Sequence, residues 1–406
     1  MKLRDVDVIV VGNPPPGFGG RYFIFVKVTT ACGIVGWGEC YAATVGPEAM
    51  RAVITDVFAR HMEGENPESI ELMFRRCYSA GFTQRPDPTV MGAFSGLEIA
   101  CWDILGKARD RPVHALWGGR MWDRLRSYSY LYPGPDEQAA DFYNNPEASA
   151  AEATRMVERG FTAIKFDPAG AYTMRGGHQP TMPDIERSAA FCREIRAAVG
   201  DRADLLFGTH GQFTPSGAVR LAQAIEPYYP LWFEEPVPPD APLDFATVAD
   251  STRIPIATGE RLSTKADFAV LLRSGGVGMV QPNVGRVGGL LEARKVAILA
   301  EAFSAQLAPH IYCGPVAWAA SVQLGLSVPN FLVLETIGTC DGFYGALIGN
   351  TIQWEDGYVV PPTGPGLGIE VDEDLARAHP WRGDRLHLEM SEQPPDPRGE
   401  RRFAGG

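Results

Sequence analysis

The chain has 406 residues, 45% of them apolar and 21% charged, and a formal net charge of −12. These are ordinary globular proportions in a chain long enough for a large core and more than one domain. The acidic balance argues against nucleic acid and anionic membranes as partners; an anionic small molecule would need a local cation, most simply a metal ion.

Residues 3–40 read as strands: Val8–Val11, Tyr22–Thr29 and, after a turn at Cys32-Gly33, Ile34–Cys40. Before the first of them, Met1-Lys-Leu-Arg-Asp-Val-Asp7 holds no signal-peptide core, and no apolar run in the chain reaches transmembrane length. Between the first two strands, Gly12-Asn-Pro-Pro-Pro-Gly-Phe-Gly-Gly20 is turn-rich and suits a mobile flap. Residues 47–120 carry a helical pattern, clearest over Thr89–Lys107 and closed by Gly118-Gly119. From Ser127–Leu131 onward, short apolar runs alternate with amphipathic stretches such as Ala148–Arg159 and Gly289–Phe303. The runs are Ala163–Asp167, Leu205–His210, Leu231–Glu235, Pro255–Glu260, Gly278–Asn283, Gln306–His310 and Phe331–Thr336. Beyond them, Ile352–Trp354, Tyr358–Val360 and Pro365-Gly-Leu-Gly368 are expected to return to the amino-terminal unit. The expected division is a capping domain at 1–124, a barrel at 125–338, a returning segment at 339–390 and a disordered tail at 391–406. The seven cysteines are scattered without a Cys-x-x-Cys pair, so reduced thiols in a cytoplasmic protein are expected.

Five segments bearing Glu or His punctuate the second half: Thr209-His210-Gly211, Phe233-Glu234-Glu235-Pro236, Gly259-Glu260-Arg261, Ala308-Pro309-His310 and Leu334-Glu335-Thr336. With Asn283 filling the one gap, successive polar residues lie 24, 26, 23, 27 and 25 positions apart. One strand and one return helix take about that many residues, so these groups recur at the same end of successive parallel strands, where a (β/α) barrel gathers its catalytic residues. The fold expected is a modified (β/α)8 barrel of the TIM type with an α+β capping domain.

Residues two apart on a strand share a face, so Lys165 and Asp167 point together into the mouth, as do Gly208 and His210. Glu234 and Glu235 must point oppositely, one inward and one structural. Two inward carboxylates on neighbouring strands, Glu234 and Glu260, suit a hard divalent cation such as Mg²⁺. His210 and His310 are candidates for acid and base, Lys165 for neutralising a carboxylate substrate or acting as a base, and Glu335 for a substrate contact or a partner of Lys165. Asn283 can reach His310 from the adjacent strand, Arg261 belongs to the substrate-binding or supporting set, and His178 is a candidate substrate contact. Gly285-Arg-Val-Gly-Gly289 reads as a helix-entry turn, since it fits no nucleotide fingerprint.

These residues, with Gly33-Ile-Val-Gly-Trp-Gly-Glu39, Ile99-Ala-Cys-Trp-Asp-Ile-Leu-Gly-Lys107, Leu116-Trp-Gly-Gly119 and Pro365-Gly-Leu-Gly-Ile-Glu-Val-Asp372, make a chain that resembles the enolase superfamily. The likeness is to its mandelate racemase subgroup, most closely the acid-sugar dehydratases. It implies one Mg²⁺ on Glu234 and Glu260, His310 as base, His210 as acid, Glu335 as a substrate contact, an acid-sugar substrate and a homo-oligomer. The implied reaction removes the proton next to a carboxylate and eliminates the 3-hydroxyl. A racemase or epimerase on the same scaffold, or a ligand-binding homologue without activity, are the alternatives.

Two positions depart from the family pattern. Gly208 stands where an Asp ligand is expected, and Asn283 where an Asp pairs with the base histidine. The first departure suggests that Asp167, on the neighbouring strand, supplies the missing ligand; otherwise it caps the loop before Pro168. The second makes His310 the weaker proton acceptor and brings the reverse histidine assignment into play.

Overall fold

The computed structural model describes residues 1–41, 44–82, 84–134 and 137–393. The amino-terminal layer is an antiparallel sheet of β1 (Leu3–Gly12), β2 (Tyr22–Thr30) and β3 (Val35–Cys40), in that order. Helix Pro88–Arg109 packs on β3 at unusually close range. A Cβ on Gly38 would lie 1.8 Å from the Gly96 carbonyl oxygen, so glycine alone fits there. Asp87 caps this helix through the backbone N–H groups of Thr89 and Val90, ahead of Pro88, and such a cap contributes about 1 kcal/mol. Asp103 on the same helix accepts from the N–H groups of Trp37 and Leu367, each at 2.9 Å, fastening helix, sheet and carboxyl-terminal segment together.

Eight parallel strands follow: β4 (Leu125–Tyr130), β5 (Ala163–Phe166), β6 (Asp204–Gly208), β7 (Trp232–Glu234), β8 (Ile256–Thr258), β9 (Val277–Val280), β10 (Gln306–Leu307) and β11 (Leu334–Thr336). Each of β4 to β9 pairs with the next, and β11 pairs with β4. The ring is completed where Leu307 bridges Phe331, just ahead of β11, with the Leu332 N–H on the Leu307 carbonyl at 2.8 Å. Tyr128, Ala163, Leu206, Trp232, Ala257, Met279, Ala308 and Val333 fill the interior as one buried cluster. With the two-residue strand period, the layer above this apolar floor contains Tyr130, Lys165, Gly208, Glu234, Gln281, His310 and Glu335. The floor therefore sets the height of the chemistry.

The carboxyl-terminal segment divides its attachments, where a simple return to the capping sheet was expected. The hairpin of β12 (Gln353–Glu355) and β13 (Tyr358–Val360) joins the barrel, with β13 antiparallel to β4. Further on, Pro380 bridges Val11 of β1. Most of the expected disordered tail, 394–406, lies outside the described residues, but Ser391 is paired with Thr173. No described helix is long and apolar enough to cross a membrane. All seven cysteines are free thiols.

Candidate active site

β6 ends at Gly208 and β7 at Glu234, earlier than the sequence pattern suggests, and His210 (φ 50°) and Glu235 (φ 43°) take left-handed backbone conformations. Such a conformation is costly for a residue with a side chain and persists only where the surroundings enforce it. Here the Gly211 N–H donates to the Glu235 carbonyl at 2.6 Å and the Thr209 hydroxyl to the same oxygen at 2.8 Å. Arg261 forks onto the Glu235 carboxylate (Nη2–Oε2 2.7 Å, Nε–Oε1 3.2 Å), and its Nη2 sits where a Cβ on Gly211 would fall. Glu235 and Arg261 thus support the turn that delivers His210. Glu235 is buried, and burial pushes its carboxyl up to about 7 against the pull of Arg261.

His210, Glu234 and Glu260 converge, one ligand atom of each lying within 4.8 Å of the others. Lys165 Nζ pairs with Glu234 Oε1, and Gln281 Nε2 donates to Oε2 at 2.7 Å. Glu260 Oε2 is buried without a hydrogen-bond partner; His310 Nε2 stands 3.5 Å off. Burial opposes ionisation of Glu260, but His310, His210, Lys165 and Arg261 together outweigh it and hold the carboxyl below the usual range. Buried carboxylates, one with an unmet acceptor, beside an imidazole make a donor set that fits a divalent cation.

The cluster of His210, Glu234 and Glu260 does not include Asp167, the residue expected as third ligand. β5 ends at Phe166, and the carboxylate turns to His210 and Tyr130: Oδ2 lies 3.7 Å from His210 Nδ1 and accepts from the Tyr130 hydroxyl at 3.4 Å. The position of the lost ligand has room, because a Cβ on Gly208 would meet Lys165, Asp167 and Tyr130 only at 3.5–3.7 Å.

His310 faces the mouth from β10, four strands from β6 in a ring of eight, so the two histidines approach from opposite walls. Asn283 Nδ2 lies 3.0 Å from His310 Nδ1. The amide orientation is fixed by its other bonds: Oδ1 accepts from the Gly285 N–H at 2.9 Å, and Nδ2 also donates to the His310 carbonyl at 3.3 Å. Nδ1 of His310 is therefore an acceptor, and the proton of the neutral ring sits on Nε2, towards Glu260. Burial holds His310 down to about 3 despite Glu260. His210 is also lowered by burial, with Glu260 and Asp167 opposing.

Glu335 accepts the Ile311 N–H on Oε2 at 2.6 Å, and Oε1 is 4.0 Å from Lys165; burial pushes its carboxyl up to about 8. It supports the loop after His310 as well as the lysine. Burial works against charge on Lys165, but Glu234, Glu335 and Glu260 overcome it and raise its pKa. The structure does not bring His178 into this group: its ring packs on Phe213, 5.3 Å between centroids, and its backbone pairs with that residue. Residues the sequence reading passed over are Tyr130, whose ring lies under Lys165, Gln281, and Arg286, which stacks on Tyr41 and donates to the Glu260 carbonyl at 3.2 Å. Strand alternation back from Asn283 finds Gln281, and alternation along β4 from Tyr128 finds Tyr130; no sequence signal marks Arg286.

Comparison with known proteins gives concordant matches. Residues 18–118 match the mandelate racemase / muconate lactonizing enzyme N-terminal domain, and 148–375 the enolase C-terminal domain-like family. A D-xylonate dehydratase of Haloferax volcanii is 34% identical over 95% of this chain and 90% of its own length. A D-galactonate dehydratase of Ralstonia nicotianae is 32% identical over 89% of this chain and 93% of its own. Among solved structures, a mandelate racemase/muconate lactonizing enzyme-like protein from Roseovarius sp. TM1035 superposes with a TM-score of 0.96 at 64% identity, covering 98% of this chain and 100% of that one.

Proposed function

Because the chain belongs to the enolase superfamily, in its mandelate racemase / muconate lactonizing branch, we propose that it is a hydro-lyase dehydrating an acid sugar of the aldonate type. The observation that carries this reading is the meeting of Lys165, two histidines on opposite walls and the paired carboxylates Glu234 and Glu260 at one barrel mouth. The dehydratases at 34% and 32% identity support the substrate class.

Glu234 and Glu260 would hold a divalent cation, Mg²⁺ by the family resemblance, which would supply positive charge to the substrate carboxylate. His210 takes the proton next to that carboxylate. Asp167 at its Nδ1 side favours the tautomer that turns the Nε2 lone pair to the mouth. The electron pair passes into the carboxylate, and Lys165 Nζ shares the charge of the resulting enediolate. Collapse of the enediolate breaks the bond to the 3-hydroxyl, which leaves as water with the proton returned by His210. The enol product then becomes a 2-keto-3-deoxy acid. His310, kept neutral by burial and with Nδ1 accepting from Asn283, donates from Nε2 to a substrate oxygen on the opposite wall.

Racemisation requires a lone pair on both walls, and the Asn283 amide denies one to His310. The deciding experiment incubates the protein with Mg²⁺ and a library of acid sugars in D₂O. Formation of 2-keto acid supports dehydration. Deuterium entering unchanged or epimerised acid without keto acid supports the epimerase, and neither result across the library supports a binding protein.

A further inference from the structure

The carboxyl-terminal stretch after Pro380 crosses the barrel mouth. It leaves the β1 edge, where the Trp381 N–H donates to the Val10 carbonyl at 3.1 Å. It arrives at the loop after β5, where the Ser391 N–H donates to the Tyr172 carbonyl at 2.8 Å and the Met174 N–H to the Ser391 carbonyl at 3.1 Å. Arg175 adds a bond to the Glu392 carbonyl at 2.9 Å. Midway, His387 is buried with its ring edge-on to Tyr22, Tyr41 and Tyr312, at 5.6, 5.3 and 6.1 Å between centroids.

Two facts tie this stretch to the catalytic groups. Tyr41 lies between His387 and His310, 5.6 Å from the latter ring, and Tyr172 packs on His210 at 4.3 Å. Each histidine thus has an aromatic neighbour that the stretch holds. His387 also presses on the flap turn: Gly20 (φ 109°) has no room for a side chain, since a Cβ would come within 1.9 Å of His387 Nε2. Arg21 next to it donates to the Leu386 carbonyl at 2.7 Å and faces Glu389 at 3.6 Å.

We infer that residues 380–393 form a clasp that closes the barrel mouth by joining the flap at 13–22 to the loop after β5, with His387 as a positioning residue for Tyr41 and the flap. The clasp stands on geometry alone; its effect on turnover rests on the dehydratase reading. Opening it exposes the mouth without removing any group that touches the substrate, so it governs binding more than the chemical step.

The test compares the full-length chain with His387→Ala and Ser391→Pro by amide hydrogen exchange and by kinetics on D-xylonate and D-galactonate. His387→Ala should lower protection of residues 17–22, and Ser391→Pro that of 172–176, by at least about tenfold while the barrel strands keep theirs. On whichever acid turns over, KM should rise at least about tenfold with kcat changed less than about threefold. Unchanged protection in both segments overturns the clasp whether or not either acid reacts. Lost protection in a protein that dehydrates nothing keeps the clasp and removes the dehydratase reading. If His387→Ala unfolds the whole protein, Ser391→Pro, which removes one backbone donor, decides. A fall in kcat with KM unchanged in that variant also counts against the inference.

Discussion

Asn283 hydrogen-bonds His310 as a donor, with Nδ2 3.0 Å from Nδ1, so the imidazole cannot take a second proton without losing that bond. A carboxylate at the same place would do the opposite and accept from Nδ1–H. In the proposed reaction, one group exchanged, an amide nitrogen for a carboxylate oxygen, would move the burden of proton transfer to the opposite wall.

The two histidines should therefore fail differently. His210→Asn is expected to abolish both keto-acid formation and exchange of the α-proton with D₂O. His310→Asn should slow elimination by roughly 10²-fold, the usual effect of losing one aimed donor, while exchange persists. Exchange followed by NMR decides the matter, and the reverse pattern would return the base role to His310.

Asn283→Asp should restore a proton-accepting His310. Combined with His210→Asn, it is predicted to catalyse α-exchange in the C2 epimer of the substrate, whose α-proton faces His310. A double variant as inert as His210→Asn would show that the amide does not set the roles.

The room at Gly208 invites a third carboxylate. Gly208→Asp should tighten Mg²⁺ binding by about tenfold in isothermal titration, since an added oxygen ligand suits this cation. Glu260→Gln should weaken binding by at least as much. Equal affinities in wild type and Gly208→Asp would place the cation elsewhere.

Away from the mouth, Glu39 gives the stability a pH dependence. Its buried carboxyl accepts from the N–H groups of Gly314 and Ala317, yet burial still pushes it up to about 8. The unfolded chain loses this proton in the ordinary carboxylate range while the folded chain keeps it. This group's contribution therefore falls as pH rises from there to about 8, by about 1.4 kcal/mol for each unit of separation. Glu39→Gln should flatten the slope of unfolding free energy between pH 5 and 8, measured by urea denaturation; an unchanged slope would assign it to other groups.

Much of the barrel was legible because its inward residues obey a strict period of two and recur at one strand-plus-helix spacing. That logic placed Lys165, Glu234, Glu260, His310 and Glu335 at one end. Past the last paired residues it gave the end of the barrel but not which side chains face each other. His210 and Asp167 lie past the last paired residues of β6 and β5, so alternation could not say that they face each other. Arg286 and His387 were invisible for a different reason: their positions depend on contacts between segments far apart in sequence, such as Arg286 on Tyr41 and His387 against Gly20. The β13 pairing with β4 was missed likewise, since a three-residue strand carries no sign of its partner.

The attachment of residues 353–393 to β4, β1 and the loop after β5 has a consequence for biosynthesis. A nascent chain emerges from its amino terminus, and domains generally fold as they appear. In this chain the first sheet and the first barrel strand both wait for partners that follow the last barrel strand. All eight barrel strands can leave the ribosome while the mouth still lacks its cover, and the enzyme's barrel therefore stands open until residues 353–393 have followed it.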